Sequence, residues 1–199
     1  MREIVDREVF MMSINEKREL LRKIDPVCFK RGEKVFEQFM EKYIVHRRGL
    51  FIVGPSGCGK TYFVKHQREK HWIDGDILWT KTGAAPKRAW WAEGTEIIDE
   101  VDRKSDVITM QAKKLGLWVV GASFFGIKPD AIVIPTWERH QKNILKREKY
   151  HYGGGATSKD FEKMVEYRKF LRKYATDNKI PVFKTMTEAV DYLTIQGDE

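Results

Sequence analysis

The chain has 199 residues, a length that suits one domain or a domain with an appendage. Its 42% apolar and 12% aromatic content can build a hydrophobic core, which excludes wholesale disorder. Lys and Arg outnumber Asp and Glu by 37 to 29, a formal charge of +8, and this excess suits anionic partners: nucleotides, nucleic acid or phosphate.

The two cysteines, Cys28 and Cys58, are too few for a disulfide scaffold, so a reducing, cytoplasmic setting is expected. No apolar run approaches the length of a membrane span. Charges from Arg2 onward do not fit a secretory signal, and no membrane partner is expected.

Residues 1–48 read as a helical N-terminal extension. Leu20, Leu21 and Ile24 recur at helical spacing until Pro26 breaks the run, and Val35, Phe36, Phe39, Met40 and Tyr43 form a second apolar stripe. The pattern is amphipathic, as expected for helices packed on a main domain that occupies residues 49–199. There the period changes. Leu50 to Val53 is a short apolar run ended by Gly54, then comes a glycine-rich turn and a helix expected through Lys70. Trp72-Ile73 opens a second strand that ends in Asp74-Gly75-Asp76. Ala89 to Lys114 reads mostly as helix. Leu117 to Ala122 and Ala131 to Ile134 read as strands, and Arg139 to Lys149 is strongly basic. After Gly153-Gly154-Gly155, the residues Phe161, Met164, Val165, Leu171 and Ala175 mark a long helix. Pro181 to Phe183 is a last strand, and Thr185 and Glu188 stand at capping-box spacing before a terminal helix over Ala189 to Leu193. Short apolar strands alternating with helices predict an α/β fold, a parallel sheet covered on both faces.

Gly54-Pro55-Ser56-Gly57-Cys58-Gly59-Lys60-Thr61 fits G-x-x-x-x-G-K-[ST] in full, between an expected strand and an expected helix. Gly54, Gly57 and Gly59 would let the backbone, with Ser56 and Cys58, wrap a phosphate and aim N–H groups at it. The following helix would add its positive dipole end. Lys60 can reach the β- and γ-phosphates, and the Thr61 hydroxyl can hold Mg²⁺. Cys58 reads as loop filling, because phosphoryl transfer needs no thiol.

Asp74 and Asp76 follow at the end of the second strand. In a doubly wound sheet the carboxyl ends of strands meet where ligands bind, so both carboxylates would face the γ-phosphate. One can hold Mg²⁺ and the other can orient or deprotonate an acceptor hydroxyl. An ordinary Asp/Gly turn is the bland alternative.

With these two motifs on the page, the chain resembles the P-loop kinases of small molecules: gluconate, adenylylsulfate, shikimate and nucleotide kinases. Gluconate and adenylylsulfate kinases carry an apolar-Asp-Gly-Asp element at the place of Ile73-Asp74-Gly75-Asp76, and the order of elements matches from about Gly49 to Leu193. The resemblance implies a three-layer fold with about five parallel strands in the order 2-3-1-4-5. It also implies ATP and Mg²⁺, with transfer of the γ-phosphoryl group to an acceptor hydroxyl or phosphate on a small molecule, a nucleotide or a nucleic acid. It makes Lys60, Asp74 and Asp76 catalytic and Thr61 and Asp74 the metal-holding residues.

In that family the basic segment after the fourth strand is a lid whose arginines close over the transferred group. Arg139, His140, Lys142, Lys146, Arg147 and Lys149 lie there, with Ile144 to Arg147 and Tyr150-His151-Tyr152 loosely like the gluconate kinase lid and the triple glycine as its hinge. Arg147 is the foremost candidate for the transition-state cation. Arg139 is next, or could stack on adenine. A solvated basic helix face is the alternative. Trp90 and Trp91 could stack on a base or sugar, or belong to the core, and Lys87 and Arg88 could contact the acceptor.

A second function class stays open. Thr95 to Glu100 can be read as an apolar strand ending in Asp99-Glu100, the metal-holding and water-activating pair of a P-loop ATPase acting on nucleic acid. Only two apolar residues precede Asp99, and the charges around it look like a helix face.

Overall fold

The computed structural model describes residues 26–150 and 155–195. The Leu20, Leu21 and Ile24 run, His151, Gly153 and Gly154 lie outside them. Helix α1 spans Pro26–Lys42, so Pro26 opens a helix, where its fixed φ and missing N–H cost nothing. Then follow β1 (Leu50–Val53), α2 (Lys60–His66), β2 (Trp72–Asp74), α3 (Gly75–Thr82), a short 3-10 turn (Trp90–Ala92), α4 (Thr95–Lys114), β3 (Trp118–Gly121) and β4 (Ala131–Val133). Helix α5 (Trp137–Lys149), a 3-10 turn (Ser158–Asp160), α6 (Phe161–Asn178), β5 (Val182–Phe183) and α7 (Met186–Ile195) complete the described chain.

The five strands form one parallel sheet in the order β2-β3-β1-β4-β5, as the kinase resemblance implied. Strand alternation divides the core in two. Phe51, Val53, Ile73, Val119 and Ile132 point to one face, where α1, α3, α4 and α6 supply residues such as Phe39, Trp79, Ile108 and Leu171. Leu50, Ile52, Val120, Ala131 and Val133 point to the other, where Met186, Ala189 and Leu193 of α7 and Phe63 and Val64 of α2 cover them. The chain is therefore three-layered, and no described helix is long and apolar enough to cross a membrane.

Helix α2 ends at His66 and not at Lys70. Gln67 leaves the helix in an extended conformation, and its amide accepts from the His71 and Trp72 N–H groups while donating to the Val64 and Trp72 carbonyls. One side chain thus closes the helix and starts β2. The capping box before α7 is present: Glu188 N–H donates to Thr185 Oγ1 at 3.1 Å and Thr185 N–H to Glu188 Oε2 at 3.2 Å.

Helix α1 packs on α3, and its Val35, Phe36 and Phe39 belong to the same buried cluster as the sheet. Phe39 is 3% exposed, so Phe39→Ala empties a site in the core itself. Its expected cost is about 3–5 kcal/mol of unfolding free energy in urea. A loss below roughly 1 kcal/mol, the scale of a surface change, would mean that α1 only rests on the domain.

Candidate functional site

The carboxyl end of β1 runs directly into the Gly54–Thr61 loop. Gly54 still belongs to the sheet by one bond, its N–H donating to the Gly121 carbonyl at 3.0 Å. Gly57 and Gly59 have φ of 90° and 105°, a left-handed backbone that other L-residues adopt only under strain. Two such residues so close together curl the loop around a concave space.

Lys60 opens α2 and turns back into that curl. Its Nζ donates to the Gly54 carbonyl at 2.7 Å and the Pro55 carbonyl at 3.1 Å, with Cys58 Sγ at 3.9 Å. The residue is only 7% exposed. Among the described residues it has no carboxylate within ion-pairing distance, so a largely buried ammonium is held by neutral groups alone. Cys58 is itself buried and fills the loop, as expected.

The two carboxylates arrive from β2. Asp74 is buried at the last position of the strand and caps α3, its Oδ1 accepting the Asp76 N–H at 3.1 Å. The Asp-Gly-Asp stretch is therefore a strand end that becomes a helix start rather than a free turn. The second Asp74 oxygen accepts the Thr61 hydroxyl at 2.8 Å. Thr61 and Asp74, the two residues to which the resemblance assigns the metal, are thus in contact. Asp76 stands in the first turn of α3, where burial of its carboxyl raises it above the ordinary range, with the neighbouring Asp74 adding to the rise and Lys60 opposing it. Tyr43, just past α1, is near enough that burial and then the Asp74 charge push its phenol up.

Helix α5 docks on the opposite side of the loop. His140, Asn143, Ile144 and Arg147 share one face at the i, i+3, i+4, i+7 spacing. Arg147 Nη1 donates to the Ser56 hydroxyl at 3.3 Å and Nη2 to the Ala156 carbonyl, so this cation stands beside the loop. Ser56 keeps its hydroxyl occupied there, accepting also the Ala156 N–H at 3.0 Å. Gly155 lies so close that a Cβ would stand 2.5 Å from Ser56 Oγ and 2.7 Å from Arg147 Nη1, so this glycine serves close packing as well as its positive φ. Arg139 is not brought to the loop. It is exposed in the first turn of α5, where its backbone N–H takes the Thr136 cap.

Elsewhere the expectations divide. Trp90 packs against the core and Trp91 is exposed, the two rings meeting edge to face at 5.7 Å. Arg88 pairs with Glu93 at 2.7 Å. The strand expected for Thr95 to Glu100 under the ATPase reading is instead the opening of α4, because charged residues on three sides leave only a helical stripe to bury. Glu100 lies on its solvent side, paired with Lys104 at 2.9 Å.

Two buried carboxylates have no signal in the motif reading. Asp102 and Asp106, one turn apart on α4, sit under the loop that follows β3. Asp106 Oδ2 accepts the N–H groups of Phe125, Gly126 and Ile127 at 3.1, 2.6 and 2.9 Å. Asp102 accepts the Ser123 hydroxyl at 2.7 Å. Burial pushes Asp102 up to about 6 and Asp106 up to about 7, the hydrogen bonds offsetting only part of it. Their one-turn spacing on a helix with apolar neighbours Val101 and Val107 was the available clue.

Among the described residues, no group of three or more His, Cys, Asp or Glu side chains is placed to hold a metal ion. Thr61 Oγ1 and Asp74 Oδ2 are hard oxygens in mutual contact, and they fit a Mg²⁺ ion, which takes few protein ligands and completes its shell with water and phosphate oxygens. Neither a family model, a curated protein nor a solved structure matches the chain.

The buried carboxylates give a pH signature. Asp102 has a folded pKa of about 6, above the unfolded value near 3.8, so its contribution to stability is full below that unfolded value and fades as pH rises through 6. The urea midpoint of the wild type should fall between about pH 4 and 7, and it should fall less for Asp102→Asn. Equal slopes would show that Asp102 ionises as easily folded as unfolded.

Proposed function

We propose that the protein is a P-loop phosphotransferase that moves the γ-phosphoryl group of ATP, with Mg²⁺, to a hydroxyl or phosphate of an acceptor. The observation that carries this reading is the Lys60 ammonium. It is buried in a loop of left-handed glycines, with no carboxylate partner among the described residues, while Asp76 feels its charge and Asp74 meets the neighbouring Thr61. Burying a cation without an opposite charge is costly, and an anionic ligand removes that cost. The sheet order agrees with the kinase resemblance.

Each residue then has a task. Lys60 neutralises the β- and γ-phosphate oxygens as charge moves between them. Thr61 and Asp74 would hold Mg²⁺, which when bound neutralises phosphate charge and fixes its orientation. Asp76 accepts the proton of an acceptor hydroxyl, a role that suits a carboxylate with a raised pKa and an open face. Arg147 supports the charge spread over the transferred group. Its guanidinium already lies beside the loop, so a small side-chain movement suffices. The acceptor class is one of small molecules, nucleotides and nucleic acid ends, and the +8 charge suits the more anionic of these.

The test is phosphoryl transfer from labelled ATP across a panel of nucleotides, sugar acids, DNA and RNA. Lys60→Ala should lower transfer by at least about 10²-fold while melting like the wild type. Turnover at the wild-type rate in Lys60→Ala would remove the assignment.

Transfer should also depend on Asp76 ionisation. Because its carboxyl is raised, kcat/KM should fall as pH drops through a value above the ordinary 3.8, and Asp76→Asn should lose transfer at every pH. Full activity of Asp76→Asn would exclude the base role. Arg147→Ala should lower kcat far more than it raises KM.

A further inference from the structure

The face of α5 that meets the loop carries more than Arg147. His140 is fully buried, and its Nε2 lies 2.6 Å from the Ser56 carbonyl. Its Nδ1 lies 3.1 Å from Arg168 Nη1 on α6. Arginine can only donate, so Nδ1 is the acceptor, and Nε2 carries the proton and donates to Ser56. Burial first, and then the cations Arg168, Lys60 and Arg147, hold this imidazole below its usual range, in keeping with the neutral tautomer. Arg168 is fixed in turn over the Trp137 ring, 5.3 Å from its centroid. One turn along, Asn143 Nδ2 donates to the Gly57 carbonyl at 3.0 Å.

These two bonds act on successive peptide planes. In a trans peptide the C=O and the next N–H point in opposite directions. Drawing the Ser56 carbonyl outward to His140 therefore turns the Gly57 N–H toward the inside of the curl. Holding the Gly57 carbonyl fixes the following plane, whose Cys58 N–H is already committed to the Pro55 carbonyl at 3.1 Å. The absence of a side chain at Gly57 lets the helix come this close: a Cβ there would stand 2.7 Å from Ile144 and 3.3 Å from His140.

We infer that His140 and Asn143 are positioning residues that brace the Gly54–Thr61 loop from outside, aiming the Gly57 N–H at a phosphate oxygen, with Arg168 locking the His140 tautomer. The inference rests on the phosphate-binding reading of that loop and adds a set of residues to it. It assigns α5 two tasks: Arg147 faces the transferred group, and His140 and Asn143 hold the loop that receives it. Neither brace residue touches the nucleotide or the acceptor.

The experiment is calorimetric titration of the full chain with Mg²⁺–ADP, beside thermal melts of the same samples. His140→Phe fills the space without a donor, Asn143→Ala removes the second donor, and His140→Gln keeps an N–H near the position of Nε2. The first two should each bind Mg²⁺–ADP about tenfold more weakly, the scale of one directed hydrogen bond, and His140→Gln should recover most of the loss. A purely structural histidine would not be rescued by glutamine in this selective way. If His140→Phe fails to fold, Asn143→Ala and His140→Gln decide the matter. Wild-type affinity in Asn143→Ala and in any folded His140→Phe would overturn the brace alone. So would a His140→Gln variant as weak as His140→Phe or Asn143→Ala. A wild-type chain that binds no Mg²⁺–ADP would overturn the phosphate-binding reading and the brace with it.

Discussion

β1 has no free edge. Its backbone is paired with β3 on one side and β4 on the other, and all four of its residues are buried. A strand so placed must be apolar on both faces, and Leu50 to Val53 supply that. The chain can leave the sheet only at the strand's carboxyl end, and it does so through glycines. The position of the Gly54–Thr61 loop is therefore set by the buried centre of the sheet. Everything gathered around the loop depends on that placement: Lys60 turning inward, β2 delivering its carboxylates, α5 closing the other side.

The charges around the loop are sorted by element. Acid comes from the β2 and α3 side, as Asp74 and Asp76. Base comes from α5 and α6, as Arg147 and Arg168, with Lys60 between the two. The sorting follows from strand order. β2 lies two places from β1 and β4 lies next to it on the far side, so the segments that leave their carboxyl ends flank the loop from opposite directions. The two sides of the loop are therefore opposite in sign. Among the described residues basic side chains also run along α5 and α6, and only some of them lie at the loop.

The candidate site rests on polar groups spent on holding other polar groups. Gln67 closes α2 and starts β2 with one amide. Asp74 caps α3 with one oxygen and meets Thr61 with the other. Asp106 gathers three backbone N–H groups into the turn after β3. Each of these side chains replaces backbone partners that a tight turn at the sheet edge would otherwise leave unsatisfied in the interior. Gln67 does this at the amino end of β2, and Asp74 and Asp106 do it at the carboxyl ends of β2 and β3.

Much of this was legible in the amino-acid order. The eight-residue glycine motif, the apolar run before it and the Asp-Gly-Asp stretch are local, and local patterns constrain local geometry: φ at Gly57 and Gly59 and the helix start at Lys60. Period-2 and period-3.6 apolar spacing likewise determined the element sequence, because burial is the strongest term acting on each segment. The sequence did not show which polar residues would meet across long separations. Arg147 stands ahead of Arg139 in the sequence reading only through the kinase resemblance, and it is the docking of α5 on the loop that turns Arg139 to solvent and Arg147 toward Ser56. His140 reads as one more basic residue of the lid segment until Arg168, 28 residues later, and Ser56, 84 residues earlier, are brought to its two nitrogens. Asp99 and Glu100 fall in the helix expected over Ala89 to Lys114, and their alternative reading as a strand end is removed by α4. Hydrogen bonds of this kind have no sequence period. They depend on the relative placement of whole elements, which packing decides, and so they belong to the tertiary structure alone.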